Sequence, residues 1–279
     1  MRLPAKIRKS LSAIGALDDD KIDLAEAALL LASAERPRTS LEPYRRHLAK
    51  ISVEVGAYAG SARGAGGLGD LAEALSHVLM RRYGYGCEEE TFEDLDAANL
   101  MRVIDTRRGL PVALGILHLH VAEVLGWNMV GLDFPSRFLV RMERDGERAV
   151  LDPADGTRVL SPADLRALLK AAEGLDAELT PGGYAPMTKR AILFRLQNNI
   201  KVRLIRADRM VEALETIESI ALFAPQAADP WRESGIINAR LGNCSAAVAA
   251  LEEYLKFDAD PARQREAQVL LQEMKRRIN

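Results

Sequence analysis

Residues 109–152 read GLPVALGILHLHVAEVLGWNMVGLDFPSRFLVRMERDGERAVLD, and two features of this stretch decide the fold class. Pro111 suits the first position of a helix, where a missing N–H costs nothing, and Gly126 suits its end. Between them Leu110, Leu114, Leu117, Val121 and Leu125 form one stripe, while Val112, Ile116 and Leu119 lie on the opposite side. A helix apolar all round is one surrounded by protein, so the spacing predicts the central helix of its domain. Three β-like runs follow, 127–133, 138–141 and 148–151, the last two joined across Asp145-Gly146, a hairpin-turn signal. The centre reads as α+β with a small antiparallel sheet.

On the N-terminal side the pattern is helical. Residues 20–34 carry apolar positions at helical spacing with acidic residues in the first turn, and 41–55 repeat the pattern with Pro43 early. A glycine-rich connection over 60–69 follows, after which Asp70 is expected to cap a helix reaching Tyr83 and ended by Gly84 and Gly86. On the C-terminal side the chain is helical again from Lys189. An offset of 34 residues aligns Ala213 with Ala247 and Ile217 with Leu251, and 34 is the tetratricopeptide period. Trp231, Gly235, Leu241-Gly242 and Ala247 fall at that motif's spacing, and Pro225 closes the first copy. Two copies are fewer than a solenoid needs alone, so they are expected to lean on the central domain or the final helix, 261–278. The expected organisation is mostly helical: a helical region over 1–98, a core over 99–183 and repeat helices over 184–279.

Composition narrows the partners. The 279 residues carry 38 basic and 40 acidic side chains, a formal charge of −2, which offers no global attraction to nucleic acid or anionic lipid. The start only faintly resembles a signal peptide, because the apolar stretch 11–17 is short and runs into Asp18-Asp19-Asp20; a mature cytoplasmic N-terminus is expected. No run approaches the roughly 20 apolar residues of a spanning helix. Cys87 and Cys244 form neither a CxxC pair nor a Cys/His ligand set, so neither a metal nor a disulfide framework is expected.

Three local motifs invite chemistry. Gly64-Ala65-Gly66-Gly67-Leu68-Gly69 matches GxGxxG after the strand-like alternation of 51–55, but eight residues separate Val55 from Gly64 and no second strand follows. It reads as a loop, and no nucleotide cofactor is expected. His118 and His120, two apart on a helix, project about 200° apart and cannot share a metal. The acidic run from Glu88 to Asp96 lacks the glycine and spacing of a calcium loop.

The block 99–114, with Leu125-Gly126, 134–141 and Leu151-Asp152-Pro153, resembles bacterial transglutaminase-like proteins of the Sir B-type, in which a helical region and this module precede tetratricopeptide repeats. The resemblance implies a papain-like core. In active members of the wider superfamily a cysteine at the start of the central helix is activated by a strand histidine, which an aspartate orients. Here the cysteine position falls at or beside Pro111, the histidine position holds Arg137, and only Asp152 matches. Proline offers no nucleophile and arginine no general base at neutral pH. Cys87 would restore thiol chemistry only if the chain brought it beside Arg137 with His118 or His120 as base. The expectation is a non-catalytic interaction protein binding a protein or peptide, with Arg137, Arg141, Asp152, Trp231 and Asn238 as binding candidates. It is expected as a monomer or weak homodimer without metal or cofactor. The alternative is a hydrolase or acyltransferase with a rearranged site.

Overall fold

The computed structural model describes residues 3–61, 66–135, 137–180 and 184–278. The chain divides into two compact units, one of residues 19–196 and one joining 1–18 to 197–279.

The larger unit holds α2 (Leu24–Ser33), α3 (Glu42–Ser61), α4 (Leu68–Leu75), α5 (Leu100–Thr106), α6 (Pro111–Val124) and α7 (Pro162–Glu173). Its sheet comprises β1 (Asn128–Phe134), β2 (Arg137–Arg144), β3 (Glu147–Asp152) and β4 (Arg158–Leu160), antiparallel in chain order. Helix α6 begins at Pro111, and its residues Val112 to Leu119, with Val121 and Ala122, are all buried. It is the expected central helix. Gly126 takes φ 69° just past its end, and Asp145 and Gly146, at φ 51° and 84°, make the two-residue turn between β2 and β3. One packing detail fixes β2 against α6. The Phe138 ring is so close to Gly115 and Gly131 that a Cβ would meet ring carbons at 2.2 Å and 2.8 Å respectively. A second apolar layer joins Leu132, Phe134, Leu139 and Leu160 to Leu165 and Leu169 of α7.

The helix expected over 41–55 forms as α3 and takes in the alternation at 51–55, with Ile51 and Val55 fully buried. One local expectation is corrected. Asp70 is not the cap of α4. Gly67 holds that position, and Asp70 sits three residues in, where its carboxylate accepts the Gly67 N–H at 3.2 Å. Beyond α4 the chain widens into a π-helical turn over Ser76–Arg82. Gly64 and Ala65 of the GxGxxG stretch lie outside the described residues; α3, not a strand, precedes that stretch.

The smaller unit contains α1 (Ala5–Gly15), the C-terminal half of α8 (Lys189–Arg206), α9 (Met210–Phe223), α10 (Ala228–Arg240), α11 (Cys244–Phe257) and α12 (Pro261–Ile278). The 34-residue register is physical. Ala213 and Ala247 are both fully buried, as are Ile217 and Leu251, and Gly235 lets Leu251 approach to 2.7 Å of where a Cβ would stand. Lys201, one period before Gly235, is buried and paired with Glu233 at 2.6 Å. Helix α1 packs on α9, where Gly15 faces the Leu222 carbonyl. Among the described residues no helix is long and apolar enough to cross a membrane.

Candidate functional site

Arg137 opens β2 and Asp152 closes β3, and the antiparallel register, with Val140 opposite Leu151, brings the two ends together. Their side chains form an ion pair. Asp152 is 1% exposed and Arg137 41%, so a buried carboxylate is covered by a guanidinium that water still reaches. The second Asp152 oxygen accepts the Ala154 N–H at 3.0 Å. The carboxylate therefore caps the turn after β3 and holds the arginine at once. Arg195 of α8 fixes the strand start from behind, donating to the Arg137 carbonyl at 2.8 Å and to Asp133 at 3.0 Å. Burial lowers the Arg195 pKa from its usual value.

Pro111 is the first residue of α6 and carries no reactive group. Cys87 is nearer than its place in the sequence suggests. Gly86 pairs with the segment just before α6, its N–H reaching Arg107 O at 3.0 Å and its carbonyl accepting from Gly109 N at 3.1 Å. This parallel bridge sets Cys87 beside the segment that leads into α6, within electrostatic reach of both Asp152 and Arg137. Burial, with the Asp152 charge second, pushes the thiol up to about 11. A thiol so placed stays protonated at neutral pH, and the thiolate is the reactive form.

The histidines do not serve it. His118 is fully buried; its Nδ1–H donates to the Leu114 carbonyl at 2.8 Å, so Nε2 accepts from the Thr157 hydroxyl at 2.9 Å. Burial lowers its pKa to about 4. Both nitrogens are occupied in holding the turn after β3, where Thr157 adopts φ 60°. The same turn is tied from Ser76, which donates to Gly156 O at 2.8 Å. His120 lines a different groove, of about 340 Å³, with Asp23, Leu48, Val53 and Val124.

The remaining candidates are scattered. Arg141 is 15% exposed and bonds Glu143 at 2.8 Å, which also draws Arg148 at 3.3 Å. In the repeat unit Trp231 donates its indole N–H to Pro225 O at 3.0 Å. Asn238 is 8% exposed, its amide donating to Ser234 O at 3.0 Å and accepting from Asn243 at 3.3 Å. Both tie the helix turns of the second repeat. Sequence reasoning missed the polar cluster of His47, Tyr85 and Arg107; the non-glycine residue at the left-handed end of α5 marks it only in the structure.

Comparison with known proteins agrees with this architecture. The model of the transglutaminase-like superfamily matches residues 42–198, and a tetratricopeptide-repeat model matches 200–273. A UPF0162 protein of Xylella fastidiosa is 28% identical over 254 residues, covering 88% of this chain and 87% of that one. One from Vibrio cholerae is 28% identical over 260 residues, with 88% and 90% covered. One from Pseudomonas aeruginosa is 30% identical over 248 residues, with 86% and 87% covered. A menin crystal structure aligns with a TM-score of 0.40 at 12% identity, over 98% of this chain and 75% of that one, too distant to carry an argument.

Proposed function

We propose, from the premise that this chain belongs to the transglutaminase-like superfamily and to the UPF0162 proteins within it, that it is a non-catalytic regulatory protein binding a protein or peptide. The observation that carries the reading is the Arg137–Asp152 pair. Where acyl transfer needs an imidazole to move a proton, this chain holds a permanent cation, and the carboxylate that would orient the base is spent on that cation. The half-exposed guanidinium, its charge balanced by Asp152, offers a hydrogen-bond donor on the core, and the tetratricopeptide helices supply the extended surface such arrays use for partners. The finer Sir B-type likeness, the cytoplasmic location and a monomeric or weakly dimeric state belong to the same proposal. So does the division into 1–98, 99–183 and 184–279.

One observation favours a second reading. Cys87 follows the Gly86–Arg108 bridge just before α6 and lies within electrostatic reach of Asp152 and Arg137, as a hydrolase or acyltransferase with a relocated thiol requires. The raised thiol and the engaged His118 weigh against it. The purified full-length chain is offered glutamine- and lysine-bearing peptides, and its thiols are labelled with a chloroacetamide probe at pH 7. The binding reading expects no cleavage or crosslinking and slow labelling of Cys87. Turnover abolished by Cys87→Ser, or by Asp152→Ala in a folded variant, makes the protein an enzyme. Capture of a lysate protein by the full chain, weakened by Arg137→Met, supports the binding reading.

A further inference from the structure

A cleft of about 400 Å³ in the larger unit is unrelated to the lost triad. Thr39, Ser40, Pro43, Tyr44 and His47 line it from the start of α3, and Ile104, Asp105 and Arg107 from the end of α5. Arg107 ends α5 at φ 64°, a left-handed conformation that costs a non-glycine residue about 1 kcal/mol. Its guanidinium lies over the rings of Tyr83 and Tyr85, 5.6 Å and 4.9 Å from their centroids. One terminal nitrogen, Nη1, donates to Tyr85 Oη at 2.5 Å and to His47 Nε2 at 3.1 Å. Those two bonds use its two hydrogens. The Nε/Nη2 edge, the side-on fork that grips a carboxylate, has no partner among the described residues.

Charge and shape narrow the ligand. Asp105, the carboxylate in the lining, is tied to Arg36 at 2.6 Å and to the Tyr44 hydroxyl at 3.1 Å. Burial and the Arg107 charge hold His47 neutral, with Nε2 an acceptor and so Nδ1 the protonated nitrogen. Lys50 and Glu54 act on His47 with opposite signs. One uncompensated positive charge remains, which suits a monoanion better than a dianion. Pro43, Tyr44 and Ile104 give the cleft an apolar wall.

We propose that this cleft binds a carboxylate carried on an apolar group, the Nε/Nη2 edge of Arg107 gripping the carboxylate while Pro43, Tyr44 and Ile104 cover the apolar part. Such a group comes from a small carboxylic acid or from the C-terminus of a peptide ending in an apolar residue. Isothermal titration of the full chain with hexanoate, N-acetyl-L-leucine and inorganic phosphate tests it. Binding of either carboxylate supports the proposal: hexanoate alone points to a free acid, N-acetyl-L-leucine alone to a chain terminus, and both to the shared chemistry. Arg107→Gln weakens that binding by about tenfold or more, the loss of one charge-assisted bidentate contact. Arg102→Gln, an exposed arginine paired to Asp96, leaves it within about twofold. Should Arg107→Gln not fold, Thr39→Trp blocks the cleft from its exposed rim without touching the polar cluster, and abolishes binding. The proposal is overturned by no carboxylate binding at about 20 mM, by phosphate binding alone, by unchanged carboxylate affinity in a folded Arg107→Gln, or by unchanged affinity in Thr39→Trp.

Discussion

Replacing Arg137 by methionine tests whether the ion pair at the candidate site is a structural necessity. The substitution leaves the Asp152 carboxylate 1% exposed with one remaining partner, the Ala154 N–H. Stripping one member from a fully buried pair costs about 3–5 kcal/mol, whereas exposed pairs contribute about 0–1 kcal/mol. Arg137 is 41% exposed, so water compensates part of the loss and the expected cost is about 2 kcal/mol. Asp152→Asn turns an amide donor or a neutral oxygen toward the guanidinium and costs a similar amount, about 2 kcal/mol. The double variant removes both charges and is expected to lose about 2 kcal/mol rather than about 4, a coupling of about 2 kcal/mol. The chain has two tryptophans, so a Trp231→Phe background leaves Trp127 to report the larger unit alone. Urea unfolding followed by its fluorescence gives each stability. Costs that simply add, or an Arg137→Met variant within about 0.5 kcal/mol of its background, would refute the claim that the pair organises this site.

Gly115→Ala places a methyl 2.2 Å from the Phe138 ring, and overpacking outweighs the roughly 1 kcal/mol gained in helix propensity; a net loss of about 2 kcal/mol, partly restored by Phe138→Leu, is expected in the same urea assay. Gly15→Ala sets a methyl 2.3 Å from the Leu222 carbonyl, so Trp231 fluorescence in a Trp127→Phe background is expected to show the smaller unit weakened by about 2 kcal/mol. His118 has a folded pKa of about 4 against 6.5 unfolded, so the unfolded chain binds more protons between those values. Its contribution is complete above pH 6.5 and falls by about 3 kcal/mol as pH drops toward 4. His47 titrates with the same sign, so His118→Gln flattens this acid limb without abolishing it; an unchanged slope between pH 4 and 7 contradicts the burial argument.

What was legible in the sequence was what local physics dictates. Pro111 and Gly126 bound a helix by their own backbone preferences, Asp145-Gly146 makes its turn from two left-handed residues, and Ala213/Ala247 recur because each repeat buries the same small side chain. The hidden elements depend on partners distant in the chain. The residues before Asp18 read as a short apolar stretch at a chain start, yet Ile7 and Leu11, four apart, are buried within the repeat unit, where α1 packs on α9. Helix α7 carried a readable cap in Ser161 and Asp164, each bonding the other's backbone N–H, that an apolar-pattern reading passes over.

The candidate site divides along the same line. That positions 111 and 137 hold proline and arginine is a matter of residue identity, and identity is what a sequence records. Cys87 comes close through the Gly86–Arg108 bridge, a non-local pairing of two short segments with no pattern to announce it. Proximity is then a necessary condition that the surroundings decline to complete. Burial and the Asp152 carboxylate oppose a thiolate, and Arg137, the nearby cation, is already neutralised by that same carboxylate. Asp152→Asn therefore separates the two readings through chemistry. It removes a repelling charge from the Cys87 thiol and frees Arg137 to attract a thiolate, so labelling of Cys87 should accelerate at pH 7 if the thiol is held inert by this pair. Slower labelling in a folded Asp152→Asn protein means that the carboxylate assists the thiol, as a working acyl-transfer site requires.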